Sequence, residues 1–162
     1  MTKKIRNHPL LAVFMTVFID LLGVGILIPV FPQLVTPGSP DSILPAGWTV
    51  AQGFILLGWL SAAYPLAQFL AAPIMGQLAD RYGRKPVLAI SILGTAIGYA
   101  LFAIGLLTKN IPLLFFSRIL DGFTGGNISV AQAAIADIST PKNRAKNFGL
   151  IGMVFGLGFI LG

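Results

Sequence analysis

Residues 18–32 read FIDLLGVGILIPVFP, and fourteen of these fifteen residues carry no charge. The exception, Asp20, is a carboxylate within an apolar run, where an ionisable group costs roughly 2.5–3.5 kcal/mol on insertion scales. The run extends from about residue 10 to 31, which is long enough for a helix that crosses a bilayer. The sequence must therefore neutralise Asp20 or use it.

The composition excludes a soluble domain. Of the 162 residues, 56% are hydrophobic and only 10% are charged, whereas soluble domains carry about 25% charged residues. The absence of cysteine excludes disulfides and thiolate metal sites, and the single histidine, His8, lies in the N-terminal tail. No phosphate-binding glycine loop or cluster of metal ligands is present. The sequence thus predicts neither an enzyme nor a metal or other cofactor.

Five apolar segments predict an all-α membrane protein. The first is longer than the apolar region of a signal peptide, so we interpret it as a retained transmembrane helix. The last would rise only about 22 Å as a helix, against a hydrocarbon core of about 30 Å. We expect residues 1–162 to be an N-terminal half-bundle fragment with four complete spans and a truncated fifth. The predicted spans are residues 10–31, 53–75, 86–107, 111–135 and 148–162.

The basic residues predict the orientation. If the helices alternate in direction, nine bases lie on one side of the membrane and one, Lys109, lies on the other. Since bases accumulate on cytoplasmic loops, the N-terminus is predicted to be cytoplasmic. The net charge of +6 then reflects topology and predicts no nucleic-acid partner. The nine bases are Lys3, Lys4, Arg6, Arg81, Arg84, Lys85, Lys142, Arg144 and Lys146.

Three ionisable residues lie deep within the spans. At 1.5 Å per residue, Asp20 and Asp121 each lie about 15 Å from one membrane face, and Arg118 lies one turn from Asp121. Residues three apart share a helix face. Intramembrane charges of this kind often mark ion pathways, so the three residues are candidates for proton coupling. Mutual neutralisation of Arg118 and Asp121 without any transport role remains an alternative.

Polar and small residues form stripes at similar depth on two spans. Together they predict a hydrophilic cavity shared by several helices, although hydrogen bonds between helices alone would also explain them. The candidate cavity residues are Ser61, Tyr64, Gln68, Gly125, Ser129 and Gln132. Two GxxxG pairs, Gly94–Gly98 and Gly122–Gly126, predict close helix packing.

The connection GQLADRYGRKPVL (residues 76–88) resembles the signature loop of the major facilitator superfamily, and it lies between the second and third spans as that loop does. Asp137, near the end of the fourth span, matches the acid that pairs with the loop arginine in this family. The resemblance implies that these residues latch the two halves of a transporter on the cytoplasmic side. The residues assigned to this gate are Gly76, Asp80, Arg81, Gly83, Arg84, Lys85 and Asp137.

Three further motifs resemble those of drug/proton antiporters with twelve spans. The first joins Asp20 to Gly23, Gly25, Pro29 and Pro32 on span one, and the second is Arg118-x-x-x-Gly122, with Asp121 where the family usually has a neutral residue. The third is an antiporter motif on span five. Its glycines are Gly149, Gly158 and Gly162.

The overall resemblance, over residues 9–162, is to the tetracycline-resistance-like branch of these antiporters. It implies proton-coupled efflux of small amphipathic compounds by alternating access, in the cell (inner) membrane, as in antibiotic resistance. The expected partners are a small-molecule substrate, protons, membrane lipids and the missing C-terminal half. A nutrient symporter or facilitator on the same fold, and a truncated non-transporting membrane protein, remain alternatives. The substrate, the coupling stoichiometry and the oligomeric state stay open.

Overall fold

The computed structural model describes residues 8–36, 39, 42–45, 47–125 and 127–162, and this part of the chain contains helices and no strands. The predicted all-α class is therefore confirmed. The tail bases Lys3, Lys4 and Arg6 and the second glycine of one GxxxG pair, Gly126, lie outside the described residues. The helices are α1 (His8–Leu34), α2 (Val50–Tyr82), α3 (Arg84–Leu107), α4 (Ile111–Thr124), α5 (Asn127–Ile138) and α6 (Arg144–Leu161).

Four of these helices are long and apolar enough to cross a membrane. They correspond to the first three predicted spans and to the fifth, which begins earlier than expected, at Arg144. The qualifying segments are Val13–Leu34, Val50–Tyr82, Arg84–Leu107 and Arg144–Leu161.

In the part of the chain that the structure describes, the fourth predicted span, residues 111–135, comprises two helices rather than one. Helix α4 ends at Thr124, and α5 begins at Asn127 and continues to Ile138. Glycine has a low helix propensity, and a residue from another helix that binds the backbone also favours a break. Both factors meet at Gly125, which caps α4 and binds a side chain of α2.

The ends of the helices follow from local chemistry. Thr49 and Gln52 form a reciprocal capping box at the start of α2, which satisfies two backbone N–H groups. Asn110 accepts from the N–H of Leu113 and caps α4. Gly83 separates α2 from α3 with a φ of 90°, a conformation that a residue with a Cβ rarely adopts.

Helix α4 packs against both α2 and α3, and α1 packs against α6. Small residues permit these approaches, because helices in lipid associate through close van der Waals packing. A Cβ at Gly98 would lie 2.8 Å from the Cβ of Asp121, and one at Gly122 would collide with the backbone carbonyl of Tyr64. The predicted packing role of Gly94 and Gly98 is confirmed, since both face α4.

The interior has two apolar clusters with a polar layer between them. We call the end of the bundle with the α2–α3 and α5–α6 connections the basic side. One cluster lies toward the basic side and includes Val17, Met75 and Ile135. The other lies toward the opposite side and includes Leu60 and Leu114. The deep ionisable residues lie between the two clusters.

The close contacts of Gly122 predict that an added methyl group at this position lowers the stability of the protein. We expect Gly122→Ala to lower the stability of the full-length protein by about 1–3 kcal/mol, because the backbone carbonyl of Tyr64 cannot move aside. Gly58→Ala is the matched control, since a Cβ at this glycine of α2 meets open space. Thermal unfolding in detergent measures both variants. Equal stability of the two variants would contradict the close packing of α2 and α4.

Candidate functional site

A buried ion pair lies at the centre of the polar layer. Arg118 Nη2 donates to Asp121 Oδ2 at 2.9 Å, and the two side chains are only 3% and 2% exposed. Both residues belong to α4 and are three positions apart, so the helix itself fixes their relation. The Nε of Arg118 is also buried and has no hydrogen-bond acceptor among the described residues. The guanidinium therefore retains a donor that no described residue engages.

Three aromatic rings surround the guanidinium of Arg118. Its central carbon lies 4.7 Å from the ring centroid of Phe102, 5.3 Å from that of Tyr99 and 5.7 Å from that of Tyr64. A cation over an aromatic face is stabilised by about 2 kcal/mol when both are desolvated. Helices α2 and α3 thus hold the cation that α4 supplies.

Asp20 faces this cluster from α1. Its side chain is buried, at 5% exposure, and its carboxylate acts electrostatically on the hydroxyls of Tyr64 and Tyr99. The Tyr99 hydroxyl also fills the space above Gly23, one turn further along α1. The structure therefore brings together all three residues selected for proton coupling, Asp20, Arg118 and Asp121. With both acids ionised, the cluster has a formal charge of −1.

A cavity of about 140 Å³ lies beside the cluster, between α1, α2 and α4. Ser61, Tyr64 and Arg118 provide its polar lining. The apolar lining comes from Leu60 and from four residues of α1 that were not predicted from the sequence. Their positions 4, 7, 8 and 11 residues after Asp20 place them on one helix face with it, and this spacing was the available signal. The four are Val24, Leu27, Ile28 and Phe31.

The other four residues selected for the cavity lie elsewhere. Gln68 donates through Nε2 to the Gly125 carbonyl at 2.6 Å and to the Tyr64 hydroxyl at 3.1 Å. Ser129 and Gln132 lie on α5 and are exposed in this chain. The structure thus places the predicted cavity residues in three locations. Ser61 and Tyr64 line the cavity, Gln68 and Gly125 form a contact at the end of α4, and Ser129 and Gln132 lie on an exposed face of α5.

Three residues of α3 also belong to the site and were not predicted from the sequence: Thr95, Tyr99 and Phe102. Thr95 is buried and faces the Asp121 carboxylate, although its hydroxyl completes no hydrogen bond with a described residue. Tyr99 and Phe102 flank the guanidinium. The polar atoms of Thr95 and Tyr99, within a largely apolar span, were the signal that could have indicated these positions.

Three of the residues assigned to the gate, Asp80, Arg84 and Asp137, meet at the basic side. Arg84 Nε donates to Asp137 Oδ2 at 2.5 Å, and Arg84 Nη2 lies 3.6 Å from Asp80 Oδ1. Gly83 forms the turn between α2 and α3 that places Arg84. Because Asp137 is 60% exposed, we expect this pair to contribute at most about 1 kcal/mol. The pair joins α3 to α5, and an ion pair this weak can break when the two helices separate.

The remaining gate residues do not join this ion pair. The Arg81 guanidinium lies 5.3 Å from the ring centroid of Tyr82, and Lys85 is exposed in the first turn of α3. Open space surrounds the position of a Cβ at Gly76. These residues therefore lie around the Arg84–Asp137 pair rather than within it.

The glycines of the antiporter motif have two different environments. Gly158 and Gly162 approach the backbone of α1 at Leu21 and Leu22, whereas Gly149 has open space around it. The two packed glycines hold α6 against the helix that carries Asp20. In the part of the chain that the structure describes, no group of acidic or histidine residues is placed to hold a metal ion.

Comparisons with known proteins agree with this geometry. The sequence profile of the Major Facilitator Superfamily matches residues 3–162. The class C tetracycline resistance protein of Escherichia coli is 39% identical over 156 residues, which cover 96% of this chain and 36% of that protein. The major facilitator superfamily domain-containing protein 10 of Bos taurus is 34% identical, over 93% of this chain and 36% of that protein. The chain thus spans about a third of the length of the curated relatives it matches.

The buried ion pair predicts an asymmetry between its two partners. Asp121→Asn leaves an unpaired guanidinium that cannot lose its proton, so we expect the free energy of unfolding to fall by about 3–5 kcal/mol. Arg118→Met leaves a carboxyl group that can take up a proton. The decrease in the free energy of unfolding should therefore be smaller than in Asp121→Asn, and smaller still at low pH. Thermal unfolding of the full-length protein in detergent at several pH values measures this difference.

Asp137→Asn is the control for this asymmetry, because it breaks an exposed pair and should cost at most about 1 kcal/mol. If Asp121→Asn is no more costly than Asp137→Asn, the pair is not desolvated in the way the structure indicates.

Proposed function

The chain belongs to the major facilitator superfamily, and on this premise we propose that it forms the N-terminal part of a proton-coupled exporter of small amphipathic compounds. Membership places the chain among multi-pass membrane transporters rather than enzymes. The relatives named as tetracycline resistance proteins support drug efflux, with antibiotic resistance as its outcome. Tetracycline is therefore the first substrate to test.

One observation carries the proposal: Asp20 is buried within electrostatic range of Tyr64 and Tyr99, the rings that flank the buried pair of Arg118 and Asp121, and a cavity lies beside that pair. A pair alone would be neutral and could serve packing only. The second acid adds a charge that a proton or a cationic substrate can neutralise. Intramembrane acids that face a bundle interior commonly belong to ion pathways.

The proposed exchange uses competition at Asp20. A proton on Asp20 neutralises the cluster, and the cation at Arg118 sets how readily that proton leaves. When the proton has left, the carboxylate favours a substrate with a cationic or hydrogen-bond donor group in the cavity. The apolar face of α1 accommodates the hydrophobic part of the substrate, and Ser61 and Tyr64 orient its polar part. The free Nε of Arg118 offers a donor to a substrate oxygen.

Alternating access supplies the direction of transport. In this proposal the basic side faces the cytoplasm, as the distribution of Lys and Arg favours. The Arg84–Asp137 pair closes that side when the cavity opens outward. The half-bundle rocks against the part of the protein beyond this chain, around a site near the bilayer midplane. The membrane is then the cell (inner) membrane.

The first test removes the charge of Asp20. In the full-length protein reconstituted into liposomes, Asp20→Asn should abolish tetracycline uptake driven by a pH gradient, because residue 20 no longer exchanges a proton. Exchange of labelled for unlabelled tetracycline without a gradient should persist at saturating tetracycline, because it needs no net proton movement and the cavity lining still binds the substrate. Asp41→Asn, which changes an acid of the α1–α2 connection, is the control. Gradient-driven uptake at the normal rate in the Asp20 variant would end the proposal.

The second test concerns the gate. Asp137→Asn should shift the balance between closed and open states of the basic side by at most about fivefold, since the pair is largely exposed. The exchanged pair Arg84→Asp with Asp137→Arg should restore part of the lost transport rate. Initial rates of uptake measure both variants. If the exchanged pair is as impaired as Arg84→Asp alone, attraction between the two residues does not close the gate.

A further inference from the structure

The junction between α4 and α5 lies one turn from the charge cluster. Gly125 donates its N–H to the Asp121 carbonyl at 2.6 Å, the last bond of α4. Its own carbonyl accepts from Gln68 Nε2 at 2.6 Å. The last carbonyls of a helix lack partners within the helix, and at membrane depth an unsatisfied carbonyl costs several kcal/mol. Gln68 of α2 therefore supports the interruption.

The same amide contacts the charge cluster. Gln68 Nε2 also donates to the Tyr64 hydroxyl at 3.1 Å, and the ring of Tyr64 lies against the Arg118 guanidinium. A Cβ at Gly122 would collide with the Tyr64 carbonyl, so α2 and α4 meet here without slack. The Gln68 amide thus joins the Tyr64 hydroxyl to the Gly125 carbonyl.

Helix α5 is held at its other end as well. Its twelve residues span about 18 Å, and Asp137 near its last residue binds Arg84 of α3. Between the two ends, Val130, Ala131 and Ile135 form its buried face. The helix is therefore a short rod that begins just after the Gln68–Gly125 contact and is bound to α3 at the basic side.

We propose that α5 acts as a rigid lever and that Gln68 is the positioning residue that links the charge cluster to the Arg84–Asp137 pair. The inference rests on the proposed function, since it states how proton or substrate exchange at the cluster reaches the gate. Substrate binding at Arg118 or proton binding at Asp20 shifts Tyr64, and Gln68 transfers that shift to Gly125, which precedes α5. The other end of α5 then brings Asp137 to Arg84 or moves it away. A continuous helix would carry no such pivot, because hinge motion concentrates at a few backbone positions.

The experiment measures the position of α5 without transport. Ala131→Cys places a thiol on the fully buried face of α5, in the full-length protein freed of any other cysteine. Its rate of reaction with N-ethylmaleimide then reports the opening of that face. Gln68→Met keeps the length of the side chain and removes the donor, so we expect a reaction rate about tenfold higher, as loss of a buried bond worth about 1.4 kcal/mol gives. Gln77→Met, which changes an exposed glutamine of the same helix, should leave the rate unchanged.

A double-variant cycle tests the lever itself. Gln68 and Asp137 act at opposite ends of α5, and distant independent sites combine within about twofold. If both changes release the same helix, the double variant Gln68→Met with Asp137→Asn should show a smaller increase in labelling rate than the product of the two separate increases. The shortfall should be at least threefold. Independent increases that multiply within twofold would overturn the proposal. So would an unchanged labelling rate in Gln68→Met.

Gln68→Glu is a second variant, in which residue 68 can donate a hydrogen bond only when its side chain is protonated. A protonated glutamic acid donates to the Gly125 carbonyl, whereas an ionised one only accepts. The labelling rate of this variant should therefore be near that of the parent at acidic pH and rise as the pH increases, beyond the pH dependence of the reagent seen in the parent. A rate that follows the parent across the whole range would also refute the lever. Labelling needs neither substrate nor gradient, so this outcome stays separate from that of the Asp20 test.

Discussion

The structure depends on the desolvated ion pair between Arg118 and Asp121. A guanidinium cannot discard its proton, so a chain that carries one at half depth must surround it with an acid and with electron-rich ring faces. Those partners come from three helices: Asp121 from α4 itself, Tyr64 from α2, and Tyr99 and Phe102 from α3. The need to satisfy one cation therefore fixes the mutual rotation of α2, α3 and α4.

The glycines make this rotation possible. Gly98 admits the Asp121 side chain against α3, and Gly122 admits the backbone of α2. Without this close approach the rings could not reach the cation, and the cavity beside Arg118 would have a different wall. On the other side of the bundle, Gly158 and Gly162 bring α6 against α1. That contact supports the helix that presents Asp20 to the cluster.

The features that could be predicted from the sequence are those that depend on a single helix. Depth follows from counting residues, and i, i+3 spacing follows from helix geometry, so Asp20 and the pair on α4 could be selected from the sequence alone. The aromatic enclosure of Arg118 could not be predicted, because it depends on how α3 turns its ring residues toward α4. The junction after Thr124 was missed for the same reason: its stabilising contact comes from Gln68, 57 residues earlier in the chain. Ser129 and Gln132 lie beyond the junction, on an exposed face of α5, so their assignment to the cavity stays a prediction.

The length of α2 has a further consequence. Its 33 residues rise about 50 Å, well beyond a hydrocarbon core of about 30 Å, and tilts of up to about 40° absorb only part of the excess. The last turns of α2, with Asp80 and Arg81, therefore project among the lipid headgroups, and Arg84 begins α3 at the same level. Phosphate groups there compete with Asp137 for the guanidinium. We infer that the lipid composition and thickness of the bilayer influence the strength of the Arg84–Asp137 ion pair.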